Sequence, residues 1–554
     1  MHAEIVSRLE EVIKYLKPLL PLANCHMSMW EKHVPEAIQK EISSVTVQEL
    51  DTVFFHFMKD SLDAEVRDNV KILIEKVPEF SNFLSIARDM SFRGSLLQKI
   101  ITSHSEFNDK LTTLGWKVQD TLFMEQFMSY KKMHEVQVMS DIVAALANIK
   151  HASHVIDIGG GKGYLSSFLS LYHGLKILGK VWNGLCRRAI LLKQGSIPPR
   201  RGKHWRSHNE QSAENAATSN SVLPTSQNSS AERIDLYKQV TKFVTPHTDL
   251  VKMVKEQFTE DECRNLSIVG LHTCGDLAPS CFRLFRNRPE VASICNIGCC
   301  YHLMEEQFSR NPFWDEVDPP LATGMYGFPL SDFLNSKELS LGRNARMLAT
   351  QAVDRLQENN QVQSESLFYR ALLQVVLIKN SDDFFPWGQV GRLTAKTEHP
   401  TDGEIVESVT AQQNDSELDD DMDIAEDEVP QLKPTPSAVQ ALDALATFHC
   451  YIQGQSSVHE DVIGAVNLLE NFVENRVNEE EIETIYKEHF AEKNLLHIFF
   501  LLRVSLAPVI EAVILLDRLL YLHEQGYHNS YLIRLFDPVI SPRCYCITAF
   551  KNDP

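Results

Sequence analysis

The sequence predicts an α/β protein built on a mostly parallel sheet, and three stretches carry that prediction. Val155-Ile156-Asp157-Ile158 is a short β-branched run that ends in the glycine cluster Gly159-Gly160-Gly161-Lys162-Gly163. Tyr164-Leu165-Ser166-Ser167-Phe168-Leu169 then resumes with the apolar spacing of a helix, so the whole reads as strand, tight turn, helix. Leu266 to Leu271 and Val291 to Ile297 are two further apolar runs, each leading into a polar turn. Tyr531 to Phe536 and Cys544 to Phe550 flank a Pro-containing turn and close the chain as an antiparallel pair.

At 554 residues the chain exceeds one hydrophobic core, and about 150 residues per domain suggests two to four units. The formal net charge is −20, much of it local to the run Asp415, Glu417, Asp419, Asp420, Asp421, Asp423, Glu426, Asp427 and Glu428. Charge therefore neither demands nor excludes a nucleic-acid partner, although the acidic tract offers a surface for a basic one. The 11 cysteines are odd in number and irregularly spaced, and the chain begins without a basic, apolar leader. A reduced, intracellular location, cytoplasmic or nuclear, is the expectation. The most apolar segment, Leu495 to Leu522, is interrupted by Arg503, Pro508, Glu511, Asp517 and Arg518. It reads as a buried helical pair, with no membrane span.

In chain order, residues 1–120 show helical apolar spacing (Ile5, Leu9, Val12, Ile13, Leu16, then Phe54, Phe55, Phe57, Met58, Leu62) and form an all-helical amino-terminal region. The α/β core occupies 121–330. Its first helix opens at Met128 to Val136, where Lys131, Lys132, His134 and Glu135 make a collar for a charged ligand or simply a solvated helix end. Leu175 to Gly179 is the second strand, and 195–232, rich in Ser, Asn, Pro, Arg and Gln, reads as a disordered insertion. Gln239 to Val244 is the third strand, ending in a turn whose Asp249 either reaches a nucleobase amino group or caps the next helix. A helical segment covers 331–394, an acidic disordered linker 395–438 and a helical insertion 439–530, with the hairpin at 531–554.

The glycine turn carries the chemistry. Glycines permit positive φ and let a ligand approach bare backbone, and the helix that follows presents unpaired N–H groups. The dinucleotide fingerprint is matched only loosely, because Gly159, Gly161 and Gly163 are spaced G-x-G-x-G and no strong acid follows about 20 residues on. With Asp157 two residues before the first glycine, the run resembles the first motif of S-adenosylmethionine-dependent methyltransferases.

Two later strands deliver His272, Cys274 and Asp276, then Cys299, Cys300, Tyr301 and His302, to one sheet edge, where parallel α/β sheets bind ligands. The thiols and imidazoles suit zinc, but H-x-C and C-C-x-H are not the clips of structural zinc sites, so no metal is expected. A nucleophilic cysteine is the other local reading.

Taken together, Met128-Ser129-x-Lys131-Lys132-x-His134-Glu135-Val136, Asp157-Ile158-Gly159-Gly160-Gly161-Lys162-Gly163, Leu271-His272-x-Cys274-Gly275-Asp276-Leu277, Gly298-Cys299-Cys300-Tyr301 and Phe536-Asp537-Pro538-Val539-x-Ser541-Pro542-Arg543 resemble the methyltransferase-like protein 25 family. The resemblance implies a Rossmann-like seven-stranded methyltransferase sheet with an amino-terminal helical region and a helical insertion before the final hairpin. It also implies S-adenosyl-L-methionine as cofactor, held by Lys131, His134, Glu135, Asp157, Gly159, Gly161, Gly163 and Asp249. His272, Asp276, Cys299, Cys300 and Tyr301 would face the acceptor, with His272 as base. The acceptor is not specified. The H-x-C-G-D and C-C pairing is similar to that of a transfer-RNA 2′-O-methyltransferase family, which makes RNA one expectation and protein another. Residues 180–202 are unlike the family, and they replace the strand end where a ribose-binding acid belongs. A catalytically impaired Rossmann-like scaffold that only binds partners is the alternative.

Overall fold

The computed structural model describes residues 1–25, 33–42, 45–58, 64–117, 128–161, 163–179, 236–242, 244–259, 262–309, 325–356, 368, 372 and 479–552. The expected disordered insertion at 195–232, the divergent segment 180–202, the acidic linker 395–438 and the first part of the helical insertion lie outside them. The chain divides into a sheet-bearing unit (Met1–His26, Trp30–Val362, Ile498–Pro554) and a second unit (Met27–Met29, Gln363–His497). The described part of the second unit is helical, with Tyr486 set edge-on to Phe368 at 6.0 Å and tilted against Phe490 at 5.5 Å.

One eight-stranded sheet organises the first unit: β1 (Ile101–Ser103), β2 (His154–Asp157), β3 (Ile177–Gly179), β4 (Tyr237–Gln239), β5 (Leu266–Cys274), β6 (Val291–Cys299), β7 (Ser530–Arg534) and β8 (Tyr545–Phe550), in the order β1-β7-β8-β6-β5-β2-β3-β4. After the edge strand β1 the chain moves into the sheet at β2, builds outward through β3 and β4, then returns to the other side of β2 with β5 and β6. All these pairs are parallel. Only β8 runs against its neighbours β6 and β7. The order reverses between β2 and β5, and a ligand crevice forms at the carboxyl ends of the strands beside such a reversal.

The sequence explains why these elements form where they do. β2 and β6 are buried at every position, and a strand covered on both faces is written as a continuous apolar run rather than an alternating one. The Tyr130–Ile149 helix starts at Ser129, whose side chain accepts from the Lys132 N–H. Val136, Met139, Val143 and Leu146 of that helix join Val155, Leu165, Leu169, Ile177, Val269 and Ile533 in one core. Each such side chain, fully buried, contributes about 1.5–3 kcal/mol.

Four expectations are corrected. The sheet has eight strands rather than seven, because Ile101–Ser103 pairs in parallel with β7, so the amino-terminal region is not all-helical. Ser103 ends that strand and caps the next helix in the same stroke, forming a capping box with Glu106. The third strand is Tyr237–Gln239, earlier than Gln239 to Val244, with the Gly179 carbonyl accepting from Val240 N at its end. The apolar segment near the carboxyl end is one 32-residue helix, Lys493–Glu524, not a pair: Pro508 is accommodated inside it.

That helix is long and apolar enough to cross a membrane, alone in this among the described residues, and 78% of its most apolar window is buried inside the protein. From Ile498 onward several of its polar residues are used internally. Asp517 accepts from the Leu330 and Ser331 N–H groups at 2.7 and 2.8 Å, and Glu511 accepts from Tyr301 Oη and Arg543 Nη1. Arg518 lies 5.5 Å from the Tyr301 ring centre.

Candidate functional site

The glycine turn departs from β2 beside that reversal. Gly159, Gly161 and Gly163 have φ of 77°, 51° and 72°, values that side chains beyond glycine rarely adopt. Gly163 is the N-cap of the Tyr164–Leu171 helix, and its N–H returns to the Gly160 carbonyl at 2.7 Å. Among the described residues a Cβ at Gly161 would meet nothing within 4 Å, so the turn leaves its backbone open to them there. A Cβ at Gly160 would come 2.6 Å from Asp157 Oδ2, which lets the buried acid sit directly beneath the turn.

Asp157 is 5% exposed. Its Oδ2 accepts from Ser166 Oγ, while Oδ1 is buried with no partner among the described residues. Burial pushes its carboxyl up to about 6 against the pull of the Ser166 hydrogen bonds. A buried, half-satisfied carboxylate under an exposed glycine turn suits a ligand bearing an ammonium group.

Glu135, on the Tyr130–Ile149 helix, is buried with both oxygens occupied. Oε1 accepts from Ser541 Oγ at 2.6 Å, and Oε2 lies 3.1 Å from His272 Nε2 at the end of β5. Burial works to raise its carboxyl, but the hydrogen bond and charge of His272, the Ser541 hydroxyl and the charge of Lys131 outweigh it and hold it below the usual range. His134 takes the Asp537 N–H on Nε2 at 3.2 Å and sets its ring against Phe536. Lys131 is half-buried and acts on Glu135 through its charge, and Lys132 reaches over the Tyr164 ring. The glycine turn touches this network: a Cβ at Gly159 would meet the His272 carbonyl at 3.4 Å.

Cys274 and Cys299 face each other in register at the ends of β5 and β6, their sulfurs 3.2 Å apart. Cys300 follows with φ 50° and ψ 49°, and all three sulfurs lie within 4.8 Å of one another. Within this tightly coupled group, hydrogen bonds with Cys274 and Cys299 hold the Cys300 thiol low, while hydrogen bonds with Cys274 and Cys300 push the Cys299 thiol up. Cys274 is exposed at the rim, Cys299 buried and Cys300 half-buried.

Asp276 begins the next turn. Its Oδ1 accepts from Glu305 N at 3.1 Å, and burial pushes its carboxyl up to about 6. Tyr301 points inward instead of to the rim. It is 1% exposed, its hydroxyl donates to Glu511 Oε1 at 3.0 Å, and guanidinium groups of Arg518 and Arg543 lie near its ring. Asp249 caps the Leu250–Gln257 helix through the Lys252 N–H at 2.9 Å, the second of its two sequence readings. The segment beyond Gly179, where the expected ribose-binding acid is missing from the sequence, lies outside the described residues.

Residues 131–307, from the collar helix through the cysteine rim, match the family model described as a methyltransferase domain. The chain is 26% identical to probable methyltransferase-like protein 25 of Homo sapiens over 99% of this chain and 97% of that protein. It is 29% identical to probable methyltransferase-like protein 25 of Mus musculus over 79% of this chain and 77% of that protein. No solved structure matches. The chain is thus similar over most of its length to proteins named probable methyltransferase-like protein 25. It therefore carries a methyltransferase domain in a mixed α/β sheet with helices.

Sequence reasoning missed two members of the network in this domain. Ser541 stands in the Phe536 to Arg543 motif, yet its partner Glu135 is 406 positions away, and only the fold joins them. Ser166 looked like one more helical position after the glycine turn; a hydroxyl nine residues beyond a buried acid was the available signal.

Proposed function

We propose that the chain transfers a methyl group from S-adenosylmethionine to a nucleophile that approaches the carboxyl ends of β5 and β6, on a Rossmann-like sheet. One observation carries the reading: the exposed glycine turn with buried Asp157 beneath it runs beside the backbone of His272, whose ring is held by Glu135. The residues fit the donor, since Asp157 Oδ1 is an unpartnered buried acceptor and Gly161 leaves the backbone open. Asp157 and the Gly159–Gly163 turn would hold its methionine part. The donor supplies an electrophilic methyl on a sulfonium.

Methyl transfer to a neutral nucleophile requires alignment and removal of one proton. His272 supplies the base, held at the rim by the Glu135 carboxylate. Glu135 is a positioning residue, because both its oxygens are engaged by protein groups, and Ser541 fixes it in turn. His134 with Phe536, and Lys131 with Lys132, shape the donor side from the same helix.

RNA is the acceptor class we favour, on the H-x-C-G-D turn at His272 to Asp276 and the Cys299-Cys300 pair. The test is methyl-labelled donor incubated with the purified chain and total RNA or protein extract from cells depleted of it. Label in one nucleoside species supports RNA. Label in protein alone replaces the acceptor, and label in neither fraction removes the reaction.

A further inference from the structure

We propose that Cys274, Cys299 and Cys300 bind a zinc ion at the ends of β5 and β6, as a three-thiolate site whose fourth coordination position faces the methyl acceptor. The acceptor-facing part rests on the methyl-transfer reading; the metal binding does not.

Sequence spacing argued against a metal because no pair of these cysteines forms a C-x₂₋₄-C clip. The fold supplies what spacing lacks. Parallel pairing of β5 with β6 sets Cys274 opposite Cys299, and the register shift between Gly270 and Thr273 is what brings Thr273 to Gly298 and Cys274 to Cys299. A bulge that re-aims side chains at a strand end is a common device beside functional sites.

Adjacent cysteines in extended backbone point to opposite faces of a sheet, which would separate Cys299 from Cys300. Here Cys300 leaves the strand in the left-handed region, at φ 50° and ψ 49°, and its sulfur returns to the same side. A residue other than glycine held there carries backbone strain, and such strain gathers at ligand sites.

The distances suit the ion. A tetrahedral zinc with Zn–S bonds of about 2.3 Å sets its sulfurs about 3.8 Å apart. The three sulfurs lie within 4.8 Å of one another, with Cys274 and Cys299 at 3.2 Å, so shifts of under an ångström complete the face. Soft thiolates select zinc over magnesium or calcium. Among the described residues the cluster holds these three ligands and no fourth, and three protein ligands with one open position is the pattern of zinc sites that bind a reacting group. Exposed Cys274 puts that open position at the rim rather than in the core.

The experiment uses the full chain under reductant, stripped with a chelator and titrated with Co²⁺, then with Zn²⁺. The expected result is one equivalent of Co²⁺ per chain with a thiolate-to-cobalt absorption band that Zn²⁺ abolishes. Cys274→Ser and Cys300→Ser lose the band, and Cys263→Ser, outside the cluster, keeps it. Should Cys300→Ser fail to fold, Cys274→Ser decides, since its side chain is exposed and its melting temperature reports its fold. Absence of the band in the wild-type chain overturns the proposal, as does a band that survives in Cys274→Ser. A Cys274–Cys299 disulfide recovered from reductant-treated protein also overturns it. Donor calorimetry reads the glycine turn and this titration reads the rim, so each idea fails separately.

Discussion

Glu135 Oε2 lies 3.1 Å from His272 Nε2, tying the helix before the sheet to the end of β5 across 137 positions of sequence. A buried carboxylate at an imidazole fixes the ring's orientation and favours the proton on the facing nitrogen. Glu135→Gln keeps the shape and removes the charge. Turnover is expected to fall on the order of a hundredfold, with donor affinity and acceptor KM unchanged within about twofold. Single-turnover kinetics and donor titration check this together. A loss shared equally between donor affinity and turnover would return Glu135 to a donor-binding or purely structural role.

Asp157 makes donor binding pH-dependent. Its folded carboxyl titrates near about 6, above the unfolded value of roughly 3.9, because it is buried. A donor ammonium favours the ionised form, so affinity rises with pH through about 6 and binding near that pH releases a proton. Calorimetry in buffers of different ionisation heat reads this directly. An affinity flat between pH 5 and 7.5 contradicts it.

The same shift sets a stability rule without donor. Raised folded pKa means that the stabilisation is full below the unfolded value and lost as pH rises through about 6. Two units are worth about 3 kcal/mol. Asp157→Asn removes that dependence, so its stability relative to wild type is expected to improve by up to about 3 kcal/mol between pH 4 and pH 7.5 in denaturant titrations. Parallel curves for the two proteins would show that Asp157 does not titrate in this range.

Glycine substitutions separate cradle from support. Gly161→Ala meets no neighbour and costs about 1–2 kcal/mol for its positive φ, yet obstructs the bare backbone and is expected to weaken donor binding at least about tenfold. Gly160→Ala drives a methyl toward Asp157 Oδ2 and is expected to lower stability more than Gly161→Ala does. Melting temperatures and donor titration on both variants give the comparison.

Tyr301 belongs to the interior ion-pair network rather than to the rim. Tyr301→Phe leaves a Glu511 oxygen short of a donor and is expected to cost about 1–3 kcal/mol with acceptor KM unchanged. Glu511→Ala takes the carboxylate from the half-buried Arg543, which keeps only the Ala349 and Gln351 carbonyls, and a loss of up to about 3 kcal/mol is expected. A Tyr301→Phe variant of normal stability with a raised KM would place the ring back at the acceptor.

The central sheet was legible because local signals agreed there. Val155, Ile156 and Ile158 are β-branched, the glycines break the strand pattern, and Leu165, Phe168 and Leu169 restore helical spacing. Ile101–Ser103 was not legible: three residues with one capping box look like a helix boundary, and their strand character comes from pairing with Leu532 to Arg534. The single long helix was misread because Arg503, Glu511, Asp517 and Arg518 suggested breaks, whereas each is paired inside. At the candidate site, residue types were readable but partners were not. Nothing near Glu135 names His272 or Ser541, and nothing in H-x-C followed by C-C says that three sulfurs converge.

The central claim is that the turn at Gly159 to Gly163 receives S-adenosylmethionine, and isothermal titration of the purified full chain with that compound tests it most directly. One equivalent binding with micromolar or tighter affinity, abolished in Gly161→Arg while that variant remains folded at the assay temperature, is the result expected. No heat of binding from a folded wild-type chain, or equal binding by Gly161→Arg, would contradict it.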